Sequence, residues 1–125
     1  MRLLSDFFQL VACQATDAAF SATLRTVPDH PIYRSHFPKH PVTPGVLLVQ
    51  LVCELSSQVW GQRLTIGCVK NVKYLNQLNP VETPTFSVSV SRTEDAGGVK
   101  LSAQVFDGER LFAKVSLLCK NPLES

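Results

Sequence analysis

Thr43-Pro-Gly-Val-Leu-Leu-Val-Gln50-Leu-Val-Cys-Glu54-Leu-Ser-Ser-Gln-Val-Trp60-Gly61 holds no proline or glycine between Val46 and Trp60. Thr43 suits the N-cap, where its hydroxyl can accept from an N–H of the first turn, and Pro44 suits the first helical position, where a missing N–H costs nothing. Gly61 offers the stop. The pattern predicts a helix from Val46 to Trp60. Val46, Leu47, Leu48, Val49, Leu51, Val52, Cys53 and Leu55 wrap nearly all round it, which marks a buried element. Gln50, Glu54 and then Ser57 or Gln58 recur three to four residues apart and form one narrow polar stripe. Polar groups on a buried helix need partners.

On the C-terminal side the period changes from helical to two. Phe86-Ser-Val-Ser-Val-Ser-Arg92 alternates apolar with polar, as do residues 99–105 and 111–117, and a further strand is expected at about residues 65–75. Gly97-Gly98 and Asp107-Gly108 read as the turns, the second as the central pair of a type I′ hairpin. On the N-terminal side, residues 7–13 and 18–27 suit two strands before Pro28-Asp29. The expected architecture is α+β: two strands, one long central helix, then a four-strand antiparallel meander, the sheet wrapping around the helix.

A chain of 125 residues that is 45% hydrophobic and 18% charged can bury one core but hardly two, so residues 1–125 are expected to form a single domain. The formal net charge of +2, without a long basic run, argues against a nucleic-acid partner. No stretch approaches the roughly 18 apolar residues of a membrane span. Asp6 and Gln9 interrupt the N-terminus too early for a signal-peptide core. Cys13, Cys53, Cys68 and Cys119 form no C-x-x-C pair and sit in apolar surroundings, as buried reduced thiols would. These readings point to a cytoplasmic protein.

Between the second strand and the helix lies a loop, residues 28–43, punctuated by Pro28, Pro31, Pro38, Pro41 and, at its end, Pro44. Each proline fixes its own φ and biases its predecessor away from helix, so this segment is expected to be irregular yet rigid, a suitable mount for functional groups. The run His36-Phe-Pro-Lys-His-Pro-Val-Thr-Pro-Gly-Val-Leu-Leu-Val-Gln50 resembles the signature of hotdog-fold 3-hydroxyacyl-(acyl-carrier-protein) dehydratases, with its His-Phe-Pro loop and Pro-Gly helix start. Val69-Lys-Asn-Val-Lys-Tyr-Leu-Asn-Gln-Leu-Asn-Pro80 is similar to the strand after the helix in that family, and the similarity spans roughly residues 20–119.

The resemblance implies a hotdog fold and an acyl-thioester substrate presented on the phosphopantetheine arm of an acyl carrier protein, in fatty-acid or polyene-type biosynthesis. It implies His36 as catalytic base, with Phe37, Pro44, Gly45, Val46 and Gln50 around the substrate. Dehydration needs a base for the proton next to the carbonyl, donors for the developing enolate oxygen, and an acid for the departing hydroxyl. N–H groups of Gly45 and Val46 at the helix start suit the second role. For the third, the family pattern has a carboxylate where this chain has Gln50, and an amide cannot transfer a proton near neutral pH. Glu54, one turn on, is the candidate substitute.

Two other functions fit these residues: a non-catalytic acyl-carrier binding subunit of a dehydratase complex, which leaves Gln50 unremarkable, and a hotdog thioesterase using Glu54 with water. No cofactor is expected. His30, His36 and His40 are separated by prolines and joined by no clear acidic or thiol ligand, so no metal is expected either. The resemblance implies a homodimer or larger oligomer. Arg34, Lys39, Lys70 and Lys73 could meet an acidic carrier protein, whereas Trp60 reads as packing.

Overall fold

The computed structural model describes residues 8–27, 43, 45–95 and 98–120. Their elements run β1 (Phe8–Ala15), β2 (Ala19–Thr26), α1 (Gly45–Trp60), β3 (Thr65–Tyr74), β4 (Thr85–Asp95), β5 (Gly98–Asp107) and β6 (Arg110–Lys120). The strands form one six-stranded antiparallel sheet in the order β1-β2-β4-β5-β6-β3. Period-two alternation turns one side of each central strand inward: Phe20, Ala22 and Leu24 from β2, Phe86, Val88 and Val90 from β4, Leu101, Ala103 and Val105 from β5, and Ala113, Val115 and Leu117 from β6. These join Leu51, Val52 and Leu55 of α1, each fully buried, in a single hydrophobic cluster.

The topology corrects the four-strand meander. Only β4, β5 and β6 follow one another across the sheet, while β3 lies beyond β6 at the far edge and β2 takes the place beside β4. The β2–β4 register explains this, because it sets Phe20 opposite Val90, Ala22 opposite Val88 and Leu24 opposite Phe86. Every such pair is apolar and buried on the helix side, the unit from which sheets gain stability.

The hairpin at residue 108 also shifts. Asp107 pairs with Arg110, so the two linking residues are Gly108 and Glu109, with Gly108 at φ 58°. Asp107 therefore ends its strand rather than entering the turn. At the other hairpin Gly97 lies outside the described residues. Gly98 has φ 141°, and a Cβ there would collide with the Cys119 carbonyl oxygen on β6. Glycine is thus required twice over, by torsion and by close backbone approach.

The cysteines divide. Cys53 and Cys119 are buried, but Cys13 and Cys68 are exposed because each lies on an edge strand. Along β1 only Phe8 is buried, so its apolar character does not place it in the core. The expected rigid loop at residues 28–43 lies outside the described residues except for Thr43.

The C-terminal end of α1 is clamped. Trp60 Nε1 donates to the Thr16 carbonyl at 2.9 Å, the indole meets the Phe20 ring edge-on at 5.1 Å between centroids, and the Arg92 guanidinium sits 4.4 Å from the indole centroid. Arg92 Nη1 donates to Gln62 Oε1 at 3.0 Å, and its Nε donates to the Asp17 carbonyl. The expectation that Trp60 packs is met, and Gly61 stops the helix at φ 61°.

Candidate functional site

The sheet covers α1 on most sides and leaves one stripe open. Val46 is 67% exposed, Gln50 and Gln58 are exposed, and Glu54 is half-buried. Four-residue spacing aligns them on one face. Val46 therefore joins the open stripe rather than the apolar wrap expected of it. Of the two candidates at its end, Ser57 is diverted inward: its Oγ donates to the Cys53 carbonyl at 2.9 Å and accepts from Leu64 N at 3.2 Å. Gln58 carries the stripe on.

At the other end α1 begins at Gly45, one residue before the expected start. The backbone leading to it is tied down. Thr43, 4% exposed, donates its N–H to the Leu78 carbonyl at 2.8 Å. Leu78 is itself buried, in a loop whose shape Asn79 fixes by accepting the N–H of Val81 at 2.9 Å and of Glu82 at 3.3 Å. Thr26 Oγ1 at the end of β2 donates to the Pro80 carbonyl at 3.0 Å. Strand β2, the loop after β3 and the helix entrance thus support one another. The first N–H groups of a helix have no acceptor within it, and the helix dipole adds partial positive charge there. An oxygen that gains negative charge is stabilised in such a place.

Tyr74, the last residue of β3, lies against this entrance. A Cβ built on Gly45 would come within 2.5 Å of its ring, so with the phenol in this place the position holds glycine, and a larger residue would have to displace the phenol. The sequence reading passed over Tyr74, although it stands inside the second stretch that carries the family resemblance. Gly45, Val46, Gln50 and Glu54 are thus brought onto one end and one face of α1. His36, Phe37 and Pro44 lie outside the described residues, as do His30, His40, Arg34 and Lys39. Lys70 and Lys73 are exposed on β3. Among the described residues no three His, Cys, Asp or Glu side chains converge as a metal site would require.

Two other features are not part of this arrangement. Cys53 and Cys119 meet sulfur to sulfur at 4.0 Å in the core. The hydrogen bond to Cys53, followed by burial, pushes the Cys119 thiol far above the ordinary thiol range, as befits a packed and unreactive group. A shallow depression of about 460 Å³ lies on the sheet face opposite α1, lined by Ser91, Ser102, Ser116, Gln104 and Lys114 among others. Gly45, Val46, Gln50 and Glu54 are not among its lining residues.

An antiparallel sheet wrapped around one buried helix defines the hotdog class. Accordingly, the structure superposes on the dehydratase heterocomplex ApeI:P from Xenorhabdus doucetiae with a TM-score of 0.76 at 18% identity, covering 90% of this chain and 96% of that one. It also superposes on a hypothetical thioesterase protein with coenzyme A from Streptococcus pneumoniae, with a TM-score of 0.67 at 13% identity over 92% and 87% of the two chains. The ApeI-like family, described as ApeI dehydratase, matches residues 12–114. The chain belongs to the ApeI-like dehydratase family. It is also 27% identical over 86 residues to the 3-hydroxyacyl-(acyl-carrier-protein) dehydratase FabZ of Latilactobacillus sakei, covering 63% of this chain. The FabZ of Oenococcus oeni is 28% identical over 85 residues, covering 62% of this chain. The matched region spans 61% of the length of each of these relatives.

Proposed function

We propose that this chain is a dehydratase of 3-hydroxyacyl thioesters carried on acyl carrier protein, working in fatty-acid or polyene-type biosynthesis. The family match carries the reading, since residues 12–114 include the whole helix entrance and its open stripe. His36 takes the proton next to the thioester carbonyl. The Gly45 and Val46 N–H groups hold the oxygen on which the enolate charge collects, an interaction worth about 3–4 kcal/mol per donor in comparable sites. The 3-hydroxyl then leaves as water once protonated, giving the enoyl thioester. Phe37 and Pro44 flank the acyl group.

Glu54 is the group on the open stripe that can supply that last proton, because Gln50 cannot. It stands one turn further along the helix, a displacement of about 5.4–6 Å. A substrate seated correspondingly deeper, with a changed acyl preference, accommodates that shift. The active form is a homodimer joined along the β3 edge, where a strand of 10 residues presents an unpaired side among the described strands. Arg34, Lys39, Lys70 and Lys73 steer an acidic carrier protein, giving weak, salt-sensitive docking in the cytoplasm.

Turnover of a 3-hydroxyacyl carrier thioester tests the assignment. His36→Ala should abolish water loss, and Glu54→Gln should lower it at least about 100-fold. A Glu54→Gln protein as active as the wild type would remove Glu54 from the mechanism. An inert wild type made active by Gln50→Glu would identify a binding subunit whose acid has been lost.

A further inference from the structure

The Tyr74 side chain reaches from the end of β3 over the start of α1. A Cβ on Gly45 would lie 2.5 Å from its Cε1 and Cζ and 2.9 Å from its Oη, so the phenol covers the first residue of α1 and its oxygen lies at the first turn. Standard bond lengths put the Gly45 nitrogen about 2.5 Å from that Cβ position. The hydroxyl is therefore no more than about 5.4 Å from the amide nitrogen. Two donors that share one oxygen, each about 2.9 Å away, stand at most about 5.8 Å apart. The phenol and the Gly45 amide meet the spacing condition for converging on a single acceptor.

Two more observations point the same way. Tyr74 is 55% exposed, so the phenol is open to a ligand approaching the helix entrance. Its backbone is well anchored: Tyr74 pairs with Ala113 of β6, and the next residue, Leu75, donates its N–H to the Phe112 carbonyl at 2.8 Å. A fixed strand end leaves only the side-chain torsions of Tyr74 to be ordered when substrate arrives.

We propose that Tyr74 contacts the substrate, donating its O–H to the thioester oxygen as a third donor beside the two helix amides. This deepens the dehydratase reading and rests on it. The phenol keeps its proton throughout. As the proton next to the carbonyl moves to the base, charge builds on the thioester oxygen and the hydrogen bond from Tyr74 strengthens. Its effect therefore falls on the rate of the chemical step more than on binding.

The test is Tyr74→Phe in the full chain, which keeps the ring over Gly45 and removes only the oxygen. With a 3-hydroxyacyl carrier thioester, kcat should fall about 100-fold while KM changes less than about threefold and the melting temperature is unchanged. Independently of turnover, the infrared carbonyl stretch of a bound saturated acyl-phosphopantetheine thioester should move to higher frequency in the variant. An unchanged kcat in an active enzyme overturns the proposal. In a protein that binds the thioester without turning it over, an unchanged carbonyl frequency does so. A wild type that binds no acyl thioester overturns the dehydratase reading, and the role of Tyr74 with it.

Discussion

Two glycines separate the cost of torsion from the cost of contact. Gly108 (φ 58°) has nothing within 4 Å of a would-be Cβ, whereas the Cβ of an alanine at Gly98 would strike the Cys119 carbonyl. Gly108→Ala should therefore cost only about 1–2 kcal/mol, the ordinary penalty of the left-handed region. Gly98→Ala should cost clearly more, because the strands β5 and β6 must part locally. Urea unfolding of both variants measures the difference, and equal losses would refute the contact argument. The buried thiols allow a second check: Cys13 should react with a thiol reagent in the native protein, Cys53 and Cys119 only on unfolding. At this scale the sequence made Gln50 and Glu54 legible, because four-residue spacing alone puts them on one helix face. Tyr74 was not, since an aromatic residue in a strand is ordinary and its contact with Gly45 joins positions remote along the chain. An exposed side chain at a strand end gives no periodic signal of such a contact.

The helix shows the same contrast between what repeats and what folds back. Its bounds and its buried side follow from composition and spacing, and the open stripe at Val46, Gln50, Glu54 and Gln58 follows from the same period. Leu55→Ala, at a fully buried position, should cost about 2–5 kcal/mol. Gln58→Ala, on the exposed stripe, should stay within about 0.5 kcal/mol of the wild type. Equal effects by chemical denaturation would contradict the placement of the helix against the sheet. Strand existence was equally legible, but strand order was not. Alternation tells which side of β4 or β5 faces inward and says nothing about which strand lies beside it. The β2–β4 pairing came from matched buried faces brought together across the helix, information held in no local window.

In the whole molecule, the two edges of the sheet are β1 and β3, and exposed Val69 on β3 suits an intersubunit contact. Sedimentation at micromolar concentration should find the proposed dimer, and Val69→Asp should shift it toward the 13.8 kDa monomer. A wild type that sediments only as monomer would end the proposed homodimer. The clamp at the far end of α1 has an optical consequence. Trp60 is the only tryptophan, and about 22 Å of helix separates it from Gly45. Its indole, edge-on to Phe20 and covered by Arg92, is a built-in fluorophore for the junction of helix, first hairpin and sheet. Emission should shift to the red when that junction opens in denaturant and stay nearly constant while an acyl thioester is titrated in. Arg92→Ala should alter the native spectrum without altering the proposed turnover, so one intrinsic signal reports stability independently of the proposed activity.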